Sequence, residues 1–300
     1  MEIQAKNNLK LGYFLTILGA IAWGFSGICG EYLIQTSHMD TGLIVYLRLT
    51  IAGLLLSLIS IYKYKKESLS IFKNKKDLLN LVIFGVFGVL FCQYSYLSAI
   101  KYTNAPTGTV LQFLSSGIIV VYVCLVEKRL PKIIEVLAIV LSLLGVFGLA
   151  THFHLNALVI SPLGLFWGVM AATSVVIYTL IPINLMLKYP KFAIIGFGML
   201  ISGIMFTVYL QPWNYSIPTD FISILALLGM IFIGTVFSFS SFLIGVSIVG
   251  PVMGGLIAGL EAVASLLFSI VLLGQTFTIQ DLVSIALVMS SIVILSFKKD

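Results

Sequence analysis

The chain is 300 residues long, 60% hydrophobic and only 9% charged, with a net charge of +6. A water-soluble chain of ordinary composition carries about 25% charge, so this composition excludes a soluble globular protein and implies a helical protein that crosses a membrane many times. The lysines sit in short stretches between apolar runs, as cytoplasmic loops require, and the positive charge therefore implies no nucleic-acid partner.

Ten apolar segments follow one another, at about 11–34, 43–62, 78–100, 106–126, 133–150, 161–187, 192–211, 220–246, 251–273 and 279–297. Each is long enough to cross a hydrocarbon core of ~30 Å, with tilt where it is longer. The longest hydrophilic stretch between them, 63–77, is too short for a soluble domain. Lys6 and Lys10 stand before a first segment too long for a signal h-region, so no cleavable signal is expected. With the N-terminus inside, the inside stretches hold every basic residue except Lys101, which falls outside, and Arg48, which falls within the second segment. That bias predicts an even number of spans, both termini in the cytoplasm, and a multi-pass protein of the cytoplasmic membrane. Cys29, Cys92 and Cys124 lie inside apolar segments without metal-ligand spacing and read as small buried hydrophobes. His38, His152 and His154 fall in outside stretches, and neither a metal nor a cofactor is expected.

The ninth segment is opened by Gly250-Pro251 and carries one carboxylate, Glu261. At ~1.5 Å rise per residue from Pro251, Glu261 lies ~15 Å deep, close to the bilayer midplane. A carboxylate there costs ~2.5–3.5 kcal/mol or more, so it should face protein or a water-filled cavity. Gly255 and Gly259 form a small-xxx-small pair that lets another helix approach closely.

The chain also repeats itself. Trp23-Gly24 recurs as Trp167-Gly168 at an offset of 144, and Ala105-Pro106 as Gly250-Pro251 at an offset of 145. Between these anchors Tyr94-Ser95 falls on Phe239-Ser240; after them Glu127 falls near Gln275 and Glu135 near Asp281. Each half, 11–150 and 161–297, holds five segments. Five is odd, so the second half is expected upside down relative to the first, the inverted-repeat arrangement in which a binding site lies near the midplane between the halves. The expected fold is therefore all-α: ten transmembrane helices in two inverted five-helix repeats.

The residues that carry this pattern resemble a known family. Ala20-Ile21-Ala22-Trp23-Gly24 in the first helix, Tyr46-Leu47-Arg48-Leu49 in the second, and Ser98 to Ala105 leading into the fourth all match it. So do Leu260-Glu261-Ala262-Val263 and Leu272-Leu273-Gly274-Gln275. On these motifs the chain, over about 11–297, resembles the drug/metabolite transporter superfamily, EamA type. The family usually has proline where this chain has Ala262, and Gly-Glu where it has Gly274-Gln275 and Val126-Glu127. The resemblance implies a carrier of amino acids, other small metabolites or organic cations, often moving outward, and rocking of helices 1–4 against helices 6–9.

Several residues are candidates for the site. At the 145 offset, Thr109, Gln112 and Ser116 fall on Gly254, Ile257 and Glu261, a spacing that shares one helix face. Gln112 and Ser116 would offer hydrogen bonds to a substrate and Glu261 a charge or a proton; the structural alternative is that they lock the halves by interhelical hydrogen bonds. Trp23, Gly27 and Gly30 share one face, and Trp167, Ala171, Ser174 and Tyr178 another. Aromatics beside small residues suit a flat or cationic ligand, or plain helix packing. Of the polar residues Gln93, Tyr94, Tyr96, Ser238, Ser240 and Ser241, the pair Gln93 and Tyr96 is favoured as lining. Glu31 and Arg48, near the outer ends of the first two helices, are expected to form an ion pair with a gating or structural role. Helices 5 and 10 carry few polar residues and are expected to face lipid or a partner protomer, with Gly145 and Gly148 as packing positions, in a monomer or homodimer.

No zinc-protease, serine-hydrolase or phosphate-cradling signature is present, so neither catalysis nor direct ATP drive is expected. The reading is a secondary transporter of small organic metabolites such as amino acids, acting outward by alternating access. The alternatives are a promiscuous multidrug or organic-cation exporter and, from another class, a non-transporting membrane scaffold or sensor. An intramembrane enzyme is disfavoured, because no histidine lies within a segment.

Overall fold

The structure is a computed structural model that describes residues 2–154 and 158–296, with the side chains of 2–8, 251–252, 255–256 and 295–296 left out. Lys298 and Lys299, used above, fall outside what it describes, as do the side chains of Lys6 and Pro251. Eight helical spans run Leu9–Thr36 (α1), Thr41–Lys73 (α2), Lys75–Tyr102 (α3), Ala105–Val126 (α4), Ile133–Thr151 (α5), Pro162–Lys188 (α6), Lys191–Leu210 (α7) and Phe221–Val249 (α8). The ninth, α9, is made of Pro251–Ala258 and Leu260–Leu273, and α10 is Ile279–Ser296. No strand occurs among the described residues. The ten segments read from hydropathy thus appear as ten apolar helices, and the fold is that of an all-α membrane protein.

Local chemistry sets the helix starts. Asp40, Asn74, Asn104 and Asp220 each accept a backbone N–H from the first turn of α2, α3, α4 and α8, satisfying donors that a helix leaves open. Pro106 and Pro162 sit in first turns, where a missing N–H costs nothing. The lysine-rich stretch after Tyr64 does not become a loop: Lys65 turns left-handed at φ 49° and a 3-10 helix continues to Lys73. Gly274 stops α9 at φ 65°, a conformation that glycine adopts without strain.

Two of the irregularities recur between the halves. A π-helical stretch occupies Phe84–Leu90 in α3 and another Gly229–Phe237 in α8, starting 145 residues apart. α4 breaks at Phe113 and Leu114, and α9 breaks at Gly259, again 145 residues after Leu114. Trp23 meets Phe239 edge-on at 5.2 Å, and Trp167 meets Tyr94 in the same way at 5.6 Å. Broken helices near the midplane free backbone groups and are tolerated where they line a cavity.

The most extensive helix packing runs across the halves. α1 packs on α8 and α9 of the other half, and α6 on α3 and α4, while α2 pairs with α7 and α5 with α10. The reason is close backbone contact across the halves. A Cβ on Gly53 would sit 2.5 Å from the Leu200 nitrogen, and one on Gly196 2.6 Å from the Ser57 nitrogen. These glycines let α2 and α7 touch backbone to backbone. α5 and α10 meet at Gly145, whose added Cβ would lie 2.7 Å from the Ser284 carbonyl oxygen, and through a Ser142–Ser291 hydrogen bond of 2.7 Å. The outer face of α5, with Leu137, Val140, Leu143 and Leu144, remains exposed and apolar.

Candidate functional site

A cavity of about 410 Å³ lies between the halves, within the ~300–1,000 Å³ range of small-ligand pockets. α1 contributes Trp23 and Ser26, α2 Arg48, and α3 Val89, Cys92, Gln93 and Tyr96. α4 adds Thr109, Gln112, Phe113 and Ser115; α6 adds Val175, Tyr178 and Thr179. Phe239, Phe242 and Val246 come from α8, and Gly254, Ala258 and Glu261 from α9. The breaks of α4 and α9 and the π-helical stretch of α3 border it, and the π-helical stretch of α8 holds Arg48.

One wall is aromatic. The Trp23 ring lies 5.2 Å from Phe239 and 4.6 Å from Phe242. Tyr178 stacks on Phe84 at 5.6 Å, and the Tyr96 hydroxyl shares a 2.9 Å hydrogen bond with Thr109. The opposite feature is charge. Arg48 donates from Nε to Thr235 Oγ1 at 2.8 Å, from Nη1 to Gln93 Oε1 at 2.9 Å, and from Nη2 to the Gly234 carbonyl at 3.3 Å. Thr235 and Gly234 of that cradle come from the π-helical stretch of α8, where Thr235 donates in turn to the Met230 carbonyl. A guanidinium has five N–H donors, so two find no partner among the described residues. Nor does any carboxylate among them stand within ion-pair distance of Arg48. Glu261 has no hydrogen-bond partner among the described residues and lines the same cavity as Arg48.

The expected residues are therefore partly gathered and partly dispersed. Trp23, Gln93, Tyr96, Gln112, Tyr178 and Glu261 line the cavity. Ser116, Trp167 and Ser174 do not. Ser116 donates to the Phe113 carbonyl at 2.8 Å, within the break. That break resets the helix phase, so Ser115 rather than Ser116 turns inward. Trp167 packs edge-on against Tyr94 and Phe166, and Ser174 donates to the Met170 carbonyl at 2.8 Å. Gln112 reaches Cys92 Sγ at 3.2 Å. Phe239 and Phe242 were not singled out, although Phe239 stands on Tyr94 at the repeat offset.

Glu31 and Arg48 do not pair with each other. Arg48 is turned toward α8, as described. Glu31 is buried, 1% exposed, where α1 meets the start of α4 and the link from α9 to α10. Its Oε2 accepts the Ala105 N–H at 2.7 Å, its Oε1 accepts from the Gln275 amide, and Gln275 Oε1 accepts from Ser269 at 2.5 Å. A carboxylate at the N-terminus of α4 also meets the positive end of the helix dipole. The same end is tied by Gln35 to the Ile100 and Thr103 carbonyls and by Ser37 to Ser223. The cavity reaches the other way, toward Val246 and Gly254, where α8 stops and α9 starts.

The arrangement can hold a small molecule with an apolar or aromatic body between two opposite charges. The chain matches the EamA-like transporter family over residues 10–151 and 162–297. It is 35% identical over 287 residues to an inner membrane transporter, YicL, of Salmonella typhimurium, covering 96% of this chain and 95% of that one. A transporter of Clostridium kluyveri is 27% identical over 138 residues, 46% of this chain and 44% of its own. A solved crystal structure has the same fold, with a TM-score of 0.60 at 16% identity, covering 96% of this chain and 95% of that chain. A cavity between two broken helices, in a ten-helix chain matched across both halves, leads to one conclusion: this protein belongs to the EamA-like transporter family.

Proposed function

We propose that the protein is a secondary carrier that exports small zwitterionic metabolites, amino acids first among them, across the cytoplasmic membrane by alternating access. One observation carries the reading: Arg48 and Glu261 line the same cavity, opposite in charge and unpaired with each other. Buried charges within a membrane are costly unless compensated. A zwitterion answers both at once: its carboxylate takes the two open donors of Arg48, and its ammonium takes Glu261. Its side chain lies against Trp23, Phe239 and Phe242. A monovalent cation would leave Arg48 uncompensated, and an anion would meet Glu261.

The two units are 11–150 and 161–297, and the interlocked sets α1–α8–α9 and α6–α3–α4 tilt against each other, with the α2–α7 and α5–α10 pairs as flanks. The latch at Glu31 closes one end while the cavity extends toward the lysine-rich end, which the charge bias assigns to the cytoplasm. That is the loading state of an exporter with both termini inside. No step here makes or breaks a covalent bond in the cargo.

The test is counterflow in proteoliposomes loaded with phenylalanine, challenged with phenylalanine, phenethylamine and 3-phenylpropionate. The reading expects phenylalanine to compete at least tenfold better than either one-charge analogue. The aromatic wall favours a second reading, an organic-cation exporter, under which phenethylamine competes as well as phenylalanine. Absence of flux for every solute would leave a scaffold or sensor.

A further inference from the structure

A second groove, of about 520 Å³, opens at the lysine-rich end of the bundle, between the ends of α2, α6 and α8 and the start of α7. It takes no part in the central cavity. Lys63, Lys188 and Lys191 line it, with Glu67 the one acidic residue among those lining it. Lys188 shares Asp77 with the Tyr189 hydroxyl, at 3.3 Å and 2.9 Å respectively, and this fixes the α6–α7 turn against α3. Lys63 and Lys191 have no carboxylate within ion-pair distance among the described residues. Lys63 lies 5.4 Å from the Tyr64 ring centroid, a typical cation–ring contact that leaves its ammonium open to an anion. The groove's other wall is apolar and open, with Leu187 and Ile244 both exposed.

We infer that this groove binds the headgroup of an anionic phospholipid. Three features point there together. The groove sits at the ends of membrane-crossing helices, where headgroups lie. Its charge is positive in excess, and basic pockets between helices at this level hold anionic headgroups. The exposed apolar side chains of Leu187 and Ile244 line the groove beside the lysines, as contact with an acyl chain requires. A free phosphate would use the lysines and leave that wall bare. The phosphate group of the lipid sits between Lys63 and Lys191, and the lipid bridges the α2–α7 pair to α8, which belongs to a different packing set.

Native mass spectrometry of the purified full chain, titrated with phosphatidylglycerol or phosphatidylcholine, tests this. Expected are one retained phosphatidylglycerol and an affinity at least tenfold above that for phosphatidylcholine. In the double variant Lys63→Gln/Lys191→Gln the affinity should fall at least tenfold, since it removes the two basic groups placed at the bound headgroup. Lys73→Gln/Lys75→Gln, outside the groove but on the same face, should leave it unchanged. All four side chains are exposed, so both variants fold. Equal retention of phosphatidylcholine, equal loss in the two double variants, or competition by millimolar inorganic phosphate as effective as by phosphatidylglycerol would each overturn the inference.

Discussion

Glu31→Ala should destabilise the protein more than any other single change at its latched end. The carboxylate is 1% exposed and accepts two donors, the Ala105 N–H and the Gln275 amide. Alanine offers neither an acceptor nor room for water without rearrangement. Leaving a buried donor unsatisfied costs about 1–3 kcal/mol, so two donors give about 2–6 kcal/mol. Glu31→Gln keeps the volume and one acceptor oxygen, and should lose about half as much. Gln275→Ala removes one of the same two bonds, so the double variant should lose less than the sum of the singles. Denaturant or SDS unfolding in mixed micelles, followed by tryptophan fluorescence, measures all four proteins. If Glu31→Ala lies within 0.5 kcal/mol of the parent, or if the double variant is additive, the latch is not a coupled network and the reasoning fails.

Two further predictions concern packing and pH. Gly53→Ala places a Cβ 2.5 Å from the Leu200 nitrogen, so α2 and α7 must separate; a loss of about 1–3 kcal/mol is expected and would show as a lowered Tm. Gly117→Ala is its control: the nearest atom to the new Cβ is Ile139 Cγ1 at 3.9 Å, and helix propensity favours alanine by about 0.5–1 kcal/mol, so Tm should hold or rise. Hydrogen bonds from the Ser223 side chain and then its backbone N–H hold the Asp220 carboxyl below its ordinary value of 3.8. A depressed carboxylate stabilises the fold above its ordinary value and stops doing so as pH falls through the depressed one. Asp220→Ala should therefore lower Tm near neutral pH, with the deficit closing in acid; a deficit that is constant with pH would contradict this.

Much of the fold was legible because membrane physics leaves few choices. Apolar runs of span length must be helices, and the ten segments appear as ten helices within a few residues at their ends, except that α2 runs on to Lys73. The anchors Trp23 and Trp167, with Ala105-Pro106 and Gly250-Pro251, stand at an offset of 144–145, and the π-helical stretches of α3 and α8 and the breaks of α4 and α9 stand at the same offset. The breaks themselves were not legible. Nothing in the local residues distinguishes Phe113 and Leu114 from a continuing helix, and the face computed through them put Ser116 where Ser115 stands. Trp167 and Ser174 lie outside the cavity lining for a different reason: a helical face is defined by sequence, but what it meets is set by α3 and α4, which approach α6 from elsewhere in the chain. The Glu31–Arg48 expectation rested on matching depth alone. Depth is one coordinate; the azimuth of Arg48 toward α8, and of Glu31 toward Ala105, depends on which helices are neighbours. Glu261 was foreseeable because a midplane carboxylate needs an interior whatever the packing.

The cavity's role rests most directly on Glu261. Counterflow of phenylalanine through proteoliposomes containing Glu261→Gln, with correct folding established by Tm and size-exclusion profile, isolates its charge at almost unchanged volume. The account predicts at least a tenfold fall in rate at limiting phenylalanine, together with loss of the preference for phenylalanine over 3-phenylpropionate. Unchanged rate and unchanged preference in the folded variant would contradict it.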